Sequence, residues 1–227
     1  MSNVITLGFL GVLLGGLMAV IVWWLLKQSI NNAQPWLAQG SNEDMRGGVL
    51  ARPALTLGLW VFLVVVTSLF ALFISAYAMR MNYGDWSPMP KPGLLWLNTT
   101  VLIVTSVAMQ WTLAAANRGQ AGAVRIGLIA GGVLTLAFLA GQIAVWQQLI
   151  ASGHFVASNP ANAFFYLLTA LHGLHLLGGL VAWGNTTAKM WRGVALGAVR
   201  LSVELCTLYW HYLLVVWLIL FAILLST

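Results

Sequence analysis

Charge is what this sequence has least of. Only 6% of its 227 residues are charged, against 61% that are hydrophobic, and just four are acidic. A soluble domain carries about a quarter charged residues to solvate its surface, so a soluble globular chain is excluded. Cysteine is nearly absent too: Cys206 stands alone, which rules out an intrachain disulfide and a cysteine-based zinc site. There is no P-loop, no glycine-rich nucleotide turn, no HExxH and no cysteine cluster, and no nucleophile–base–acid set can be assembled. Together these absences point away from chemistry performed by this chain alone. The formal charge of +6 does not point to nucleic acid, because the ten basic residues are scattered and none form a run.

Long apolar runs are present instead, and the mean hydropathy is +0.92. About 20 apolar residues cross a bilayer as a helix, the form that closes its backbone hydrogen bonds internally. Six stretches qualify, roughly 4–26, 55–79, 94–116, 124–150, 163–185 and 202–225. The expected fold class is all-α, a polytopic membrane bundle of six transmembrane helices. The stretches between them read as loops, NYGDWSPMPKPG (82–93) and SGHFVASNP (152–160) among them. The organisation expected is an additional N-terminal helix within 1–30, a cytoplasmic linker over 31–54 and a five-helix bundle over 55–227.

Basic residues set the orientation. Lys27, Arg46, Arg52, Arg118, Arg125, Lys189, Arg192 and Arg200 fall on one side, and only Arg80 and Lys91 on the other. The positive-inside rule makes the first side cytoplasmic and puts both termini on the outer, periplasmic side. MSNVITLGFLGVLLGG lacks the charged n-region and cleavage site of a signal peptide, so it is expected to be a retained helix. No mitochondrial targeting pattern is visible, and a bacterial inner membrane is the expected location. Glycines at 11 and 15, and at 127 and 131, have the spacing that lets helices approach closely in lipid.

Ionisable groups at membrane depth are costly and mark candidate functional positions. Glu204 and His211 share a face of the last span, and His172 and His175 lie three apart in LLTALHGLHLLGG. Gln110, Gln142 and Asn98 are softer polar groups. Two of these histidines on facing helices could clamp a b-type haem, His211 with His172 or His175. The plainer alternative is interhelical hydrogen bonding, with Gly173 making room. Glu204 either pairs with Arg200 one turn earlier or is buried against His211 or a neighbouring helix. Most of the twelve tryptophans fall near the interfaces, as an aromatic belt does. Trp210 and Trp217 lie inside the last span beside His211 and mark a face that meets protein.

Four segments, in order, carry a resemblance. ELCTLYWHYLLVVWLILF resembles the final helix of subunit III of the haem–copper terminal oxidases, E-x5-W-H-F-V-D-x-x-W, through Glu204, Trp210, His211 and Trp217. LTALHGLHLLGG is similar to that family's T-G-x-H-G-x-H-x-x-x-G through Thr169, His172, Gly173, His175 and Gly179. LGLWVFLVVVTSLFALFISAY resembles its G-L-W-x-F-L helix, and LLWLNTTVLIVTS its P-x-L-W-L-N-T helix. Two family carboxylates are missing: Val66 stands eight residues past the glycine of the first of these, and Leu214 four past Trp210.

The resemblance implies a subunit without catalytic residues or a metal of its own. Haem and copper would belong to the partner subunit I, on which this chain would pack. Subunit II, other small membrane subunits and a larger supercomplex are further implied partners. Phospholipid bound between the helices, support of proton uptake and stability of the complex are the implied roles. Glu204, His211, His172, His175, Trp210 and Trp217 would then form a lipid-binding or buried polar seam. An accessory subunit of a nitric oxide reductase and a free-standing b-type cytochrome anchor are the competing expectations.

Overall fold

The computed structural model describes residues 46–226 apart from 88, 89 and 91. The expected span at 4–26 and its glycine pair lie outside the described residues. Within them the chain is all-helical: α1 (Arg46–Arg80), α2 (Leu94–Asn117), α3 (Ala121–Ala151), α4 (Pro160–Trp191) and α5 (Leu196–Ser226). All five contain a segment long and apolar enough to cross a membrane, which for α1 is Leu55–Arg80. The protein is a multi-pass membrane protein.

Helices outrun the apolar runs from which they were expected. α1 begins at Arg46 rather than near 55, α4 extends to 160 and 191 rather than 163 and 185, and α5 begins at Leu196 rather than near 202. Hydropathy marks only the part inside the hydrocarbon, whereas local capping chemistry ends the helix. Asn159 caps α4 by accepting from the Ala161 amide at 3.1 Å, and Pro160 follows at the first turn. Just past the ends of α2 and α4, Gly119 and Gly193 take φ of 75° and 76°, the left-handed conformation that halts a helix.

Lipid tails are as apolar as leucine, so helix association here depends on close packing and hydrogen bonds. Glycine supplies the first. A Cβ on Gly127 would sit 2.1 Å from Thr112 Oγ1, and one on Gly131 would sit 2.7 Å from Met109 Sδ. The 127/131 pair is thus where α3 closes on α2. Gly132 similarly receives the Trp183 ring of α4, whose indole donates to the Leu128 carbonyl at 2.9 Å. At the loop end bearing Arg118 and Arg192, Ala115, Val124, Leu128, Met190, Val199 and Val203 pack together from four helices.

α5 is the axis of the bundle, with Val199, Val203, Leu213, Trp210 and Trp217 at most 1% exposed. α1 is different: Leu57, Val61, Val64, Val65 and Leu72 are all more than half exposed. It reaches its neighbours through side chains. Tyr212 of α5 bonds Thr67 at 2.9 Å, and Phe62 and Phe70 stack near His175 of α4. At its far end Arg80 pairs with Asp85 (Nη1 to Oδ1, 2.6 Å), which holds the Asp85 carboxyl below the usual carboxylate range. That exposed link persists at neutral pH and is lost as acidification protonates Asp85. Nearby, Asn159 donates to Ser87 Oγ at 2.7 Å and ties the two loops of that end together.

Gly132→Ala should lower the unfolding free energy in detergent by ~1–3 kcal/mol, because the added methyl meets a locked indole ring. Gly178→Ala meets open space and should leave stability unchanged or slightly raised. Thermal unfolding followed by circular dichroism checks the pair.

Candidate functional site

Threonine is abundant in these spans, and its chemistry organises the interior. In a helix its hydroxyl hydrogen goes back to the carbonyl four residues earlier, which leaves the oxygen's lone pairs available. Thr135 donates to Gly131 O at 2.7 Å, and its oxygen accepts from Trp210 Nε1 at 2.9 Å. Thr99 donates to Leu95 O at 2.8 Å and accepts from Trp217 Nε1 at 3.0 Å. Thr169 donates to Phe165 O at 2.7 Å and accepts from Trp146 Nε1 at 3.1 Å. Three times, a bulky indole donor crosses between helices onto a hydroxyl that is already anchored. Trp210 and Trp217 are 1% and 0% exposed, so their N–H groups have no water to fall back on.

His211 is half-buried at the middle of α5, and both ring nitrogens are engaged by α2. Nε2 lies 2.9 Å from Gln110 Oε1, and Nδ1 is hydrogen-bonded to Ser106 Oγ. A carboxamide oxygen only accepts, so Nε2 carries the hydrogen. Nδ1 of the neutral ring then accepts from the Ser106 hydroxyl. Neither nitrogen is left for Glu204, which is half-buried seven residues earlier on the same helix. Of the alternatives open for His211, the one found is hydrogen bonding from α5 to α2.

The other two membrane histidines sit elsewhere. His172 is fully buried, with its ring 5.2 Å from that of Trp217 and 5.9 Å from that of Phe138. Its ring nitrogens have no hydrogen-bond partner among the described residues. His175 bonds through Nδ1 to the carbonyl of Leu171 in its own helix at 2.7 Å, and its ring meets Phe62 and Phe70 of α1. Gly173 does not make room for them: a Cβ there would meet only Leu139, at an ordinary 3.8 Å. Gly179 is the tight position, where a Cβ would sit 2.7 Å from the Tyr209 ring.

The two positions without carboxylates are also placed. Val66 is 2% exposed and lies one turn from both Phe62 and Phe70, on the face of α1 that meets His175. Leu214 lines an open groove of about 440 Å³ between α2 and α5, beside Ser106, Gln110 and His211. Among the described residues, no three His, Cys, Asp or Glu side chains are grouped so as to hold a metal ion.

The sequence of these helices matches a known family. Residues 5–226 fit the family model described as cytochrome c oxidase subunit III. The chain belongs to the cytochrome c oxidase subunit III family. The match takes in nearly the whole sequence, residues 5–54 as well as the five described helices. Among relatives, the probable cytochrome c oxidase subunit 3 of Mycobacterium tuberculosis is 30% identical over 164 residues, covering 71% of this chain and 80% of its own. The cytochrome c oxidase subunit 3 of Corynebacterium diphtheriae is 29% identical over 196 residues, 79% of this chain and 94% of its own. The cytochrome bo(3) ubiquinol oxidase subunit 3 of Pseudomonas aeruginosa is 26% identical over 171 residues, 73% of this chain and 81% of its own. Membership places the chain among the respiratory oxidase subunits and implies association with other subunits of such a complex.

The indole–threonine links make a sharp prediction. Thr135→Val leaves the buried Trp210 N–H without an acceptor and should cost ~1–3 kcal/mol. Thr105 is equally buried but bonds only the Val101 carbonyl, so Thr105→Val should cost far less. Equal losses for the two variants in a thermal unfolding comparison would contradict the role assigned to the indole link.

Proposed function

We propose that this chain is the subunit III of a respiratory haem–copper oxygen reductase, packed on the haem- and copper-bearing subunit I and lacking catalytic residues of its own. The family match over residues 5–226 is the single observation that carries this reading. Six spans, both termini on the periplasmic side and a bacterial inner membrane complete the proposed topology, with 1–30 as an additional helix, 31–54 as linker and 55–227 as the bundle. The proposed service to the complex is stability during turnover and support of proton uptake, with phospholipid held beside α1. The uncovered apolar face of α1, joined to the bundle mainly by Thr67, Phe62 and Phe70, is consistent with lipid on that side. Subunit II, smaller membrane subunits and a larger supercomplex are the further partners proposed.

Glu204, His211, His172, His175, Trp210 and Trp217 are proposed as the polar seam that fixes α5 within the bundle. A structural role suits them better than haem ligation. The His211 nitrogens are both engaged by α2, and His172 is enclosed between Phe138 and Trp217.

Purification through a tag on this chain in mild detergent tests the proposal. A haem- and copper-bearing subunit should co-purify with dioxygen-consuming activity, whereas recovery with a nitric-oxide-reducing partner would overturn it. In the same preparation, His211→Leu should weaken retention of this subunit and leave the haem spectrum of the complex unchanged. Loss of a haem band would contradict the non-ligand assignment.

A further inference from the structure

Polar groups inside a bilayer normally face the bundle interior, because hydrocarbon offers them no partner. The cluster Ser106, Gln110 and His211 departs from that pattern. Ser106 is buried and His211 half-buried, but Gln110 is exposed, and all three border the groove between α2 and α5. Gln110 spends its oxygen on His211, and its amide nitrogen has no acceptor among the described residues. Two N–H bonds are therefore presented at an outer face of the bundle.

Depth excludes the lipid headgroup as the group that meets them. His211 is the central residue of the 31-residue α5, about 22 Å of helix axis from either end. Its bond to Gln110 holds the amide near that level, well away from ester and phosphate oxygens. Acyl chains carry no acceptor, so lipid alone would leave the donors unpaired at the usual cost of a buried polar group. The surrounding surface is apolar and uncovered: Val107, Trp111 and Ile103 are 64%, 47% and 41% exposed. An apolar furrow with a donor pair at mid-membrane is shaped for another transmembrane helix.

We infer that this groove is a docking surface for a transmembrane helix of a partner oxidase subunit, one that brings a hydrogen-bond acceptor opposite Gln110. The acceptor is a side-chain oxygen, or a backbone carbonyl freed at a kink. The inference rests on the chain being an oxidase subunit and deepens that reading by naming the face used.

The test places a benzoylphenylalanine photocrosslinker at Val107, in the groove, or at Val133, 59% exposed on α3, with the tagged complex irradiated in native membranes. A covalent adduct with another oxidase subunit should form at 107 at least tenfold more than at 133. Lipid adducts alone at 107, a dimer of this chain, or equal adducts at both positions would overturn the groove assignment even though a haem- and copper-bearing subunit co-purifies. If no oxidase subunit co-purifies at all, the subunit reading itself fails. Gln110→Leu should also lower retention of this chain in the detergent-washed complex about fivefold, the effect of losing ~1 kcal/mol of interhelical hydrogen bonding. Unchanged retention would contradict a bond to the partner.

Discussion

The order of this bundle depends above all on one constraint, that a polar hydrogen within the hydrocarbon is costly without an acceptor. Among the described residues Gln142 Nε2 and the His172 ring are exceptions. α5 meets the constraint by bonding to all four other described helices. Trp217 reaches Thr99 on α2, Trp210 reaches Thr135 on α3, Tyr209 donates to the His175 carbonyl on α4 at 3.0 Å, and Tyr212 meets Thr67 on α1. Individual interhelical hydrogen bonds in membranes are worth only ~0.6 kcal/mol on average. Their value here lies in direction: four aromatic side chains on one helix fix its rotation and depth against four neighbours.

Small residues make this geometry possible. Gly127, Gly131 and Gly132 bring α3 against α2 and α4, and Gly179 admits Tyr209. α1, without such close approaches, remains side-chain-linked and exposed. The outcome is a closely packed group α2–α5 with α1 joined to it mainly through side chains, and with histidine ring nitrogens hydrogen-bonded or enclosed by aromatic rings.

Much of this was legible in the sequence, because transmembrane length and apolarity are dictated by the bilayer. All five described spans agree with the apolar runs within a few residues at one end or both, and the 127/131 glycine pair marks a true close contact. The membrane span of α1 starts at Leu55 as expected, while the helices run on to Arg46, Trp191 and Leu196 because hydropathy is blind to the polar turns that extend a helix beyond the hydrocarbon. The candidate site was read less well. Gln110 was noted as polar, but Ser106, Thr99 and Thr135 carried no signal, since lone hydroxyls are common in membrane helices and only a facing indole or imidazole gives them meaning. The Glu204–His211 alignment was real as a helical spacing, yet spacing on one helix says nothing of what the facing helix offers. Gly173 leaves no tight space beside the histidines, and the close approach on α4 is instead Gly179 against the Tyr209 ring, because which glycine meets a ring depends on helix rotation.

The central claim is that the membrane histidines hold helices together and do not ligate iron. The direct measurement is an optical spectrum of this chain after its separation from the other subunits in mild detergent. A colourless protein with no Soret band is the predicted result. A Soret band that disappears in His172→Ala or His211→Ala would contradict it and make those imidazoles haem ligands.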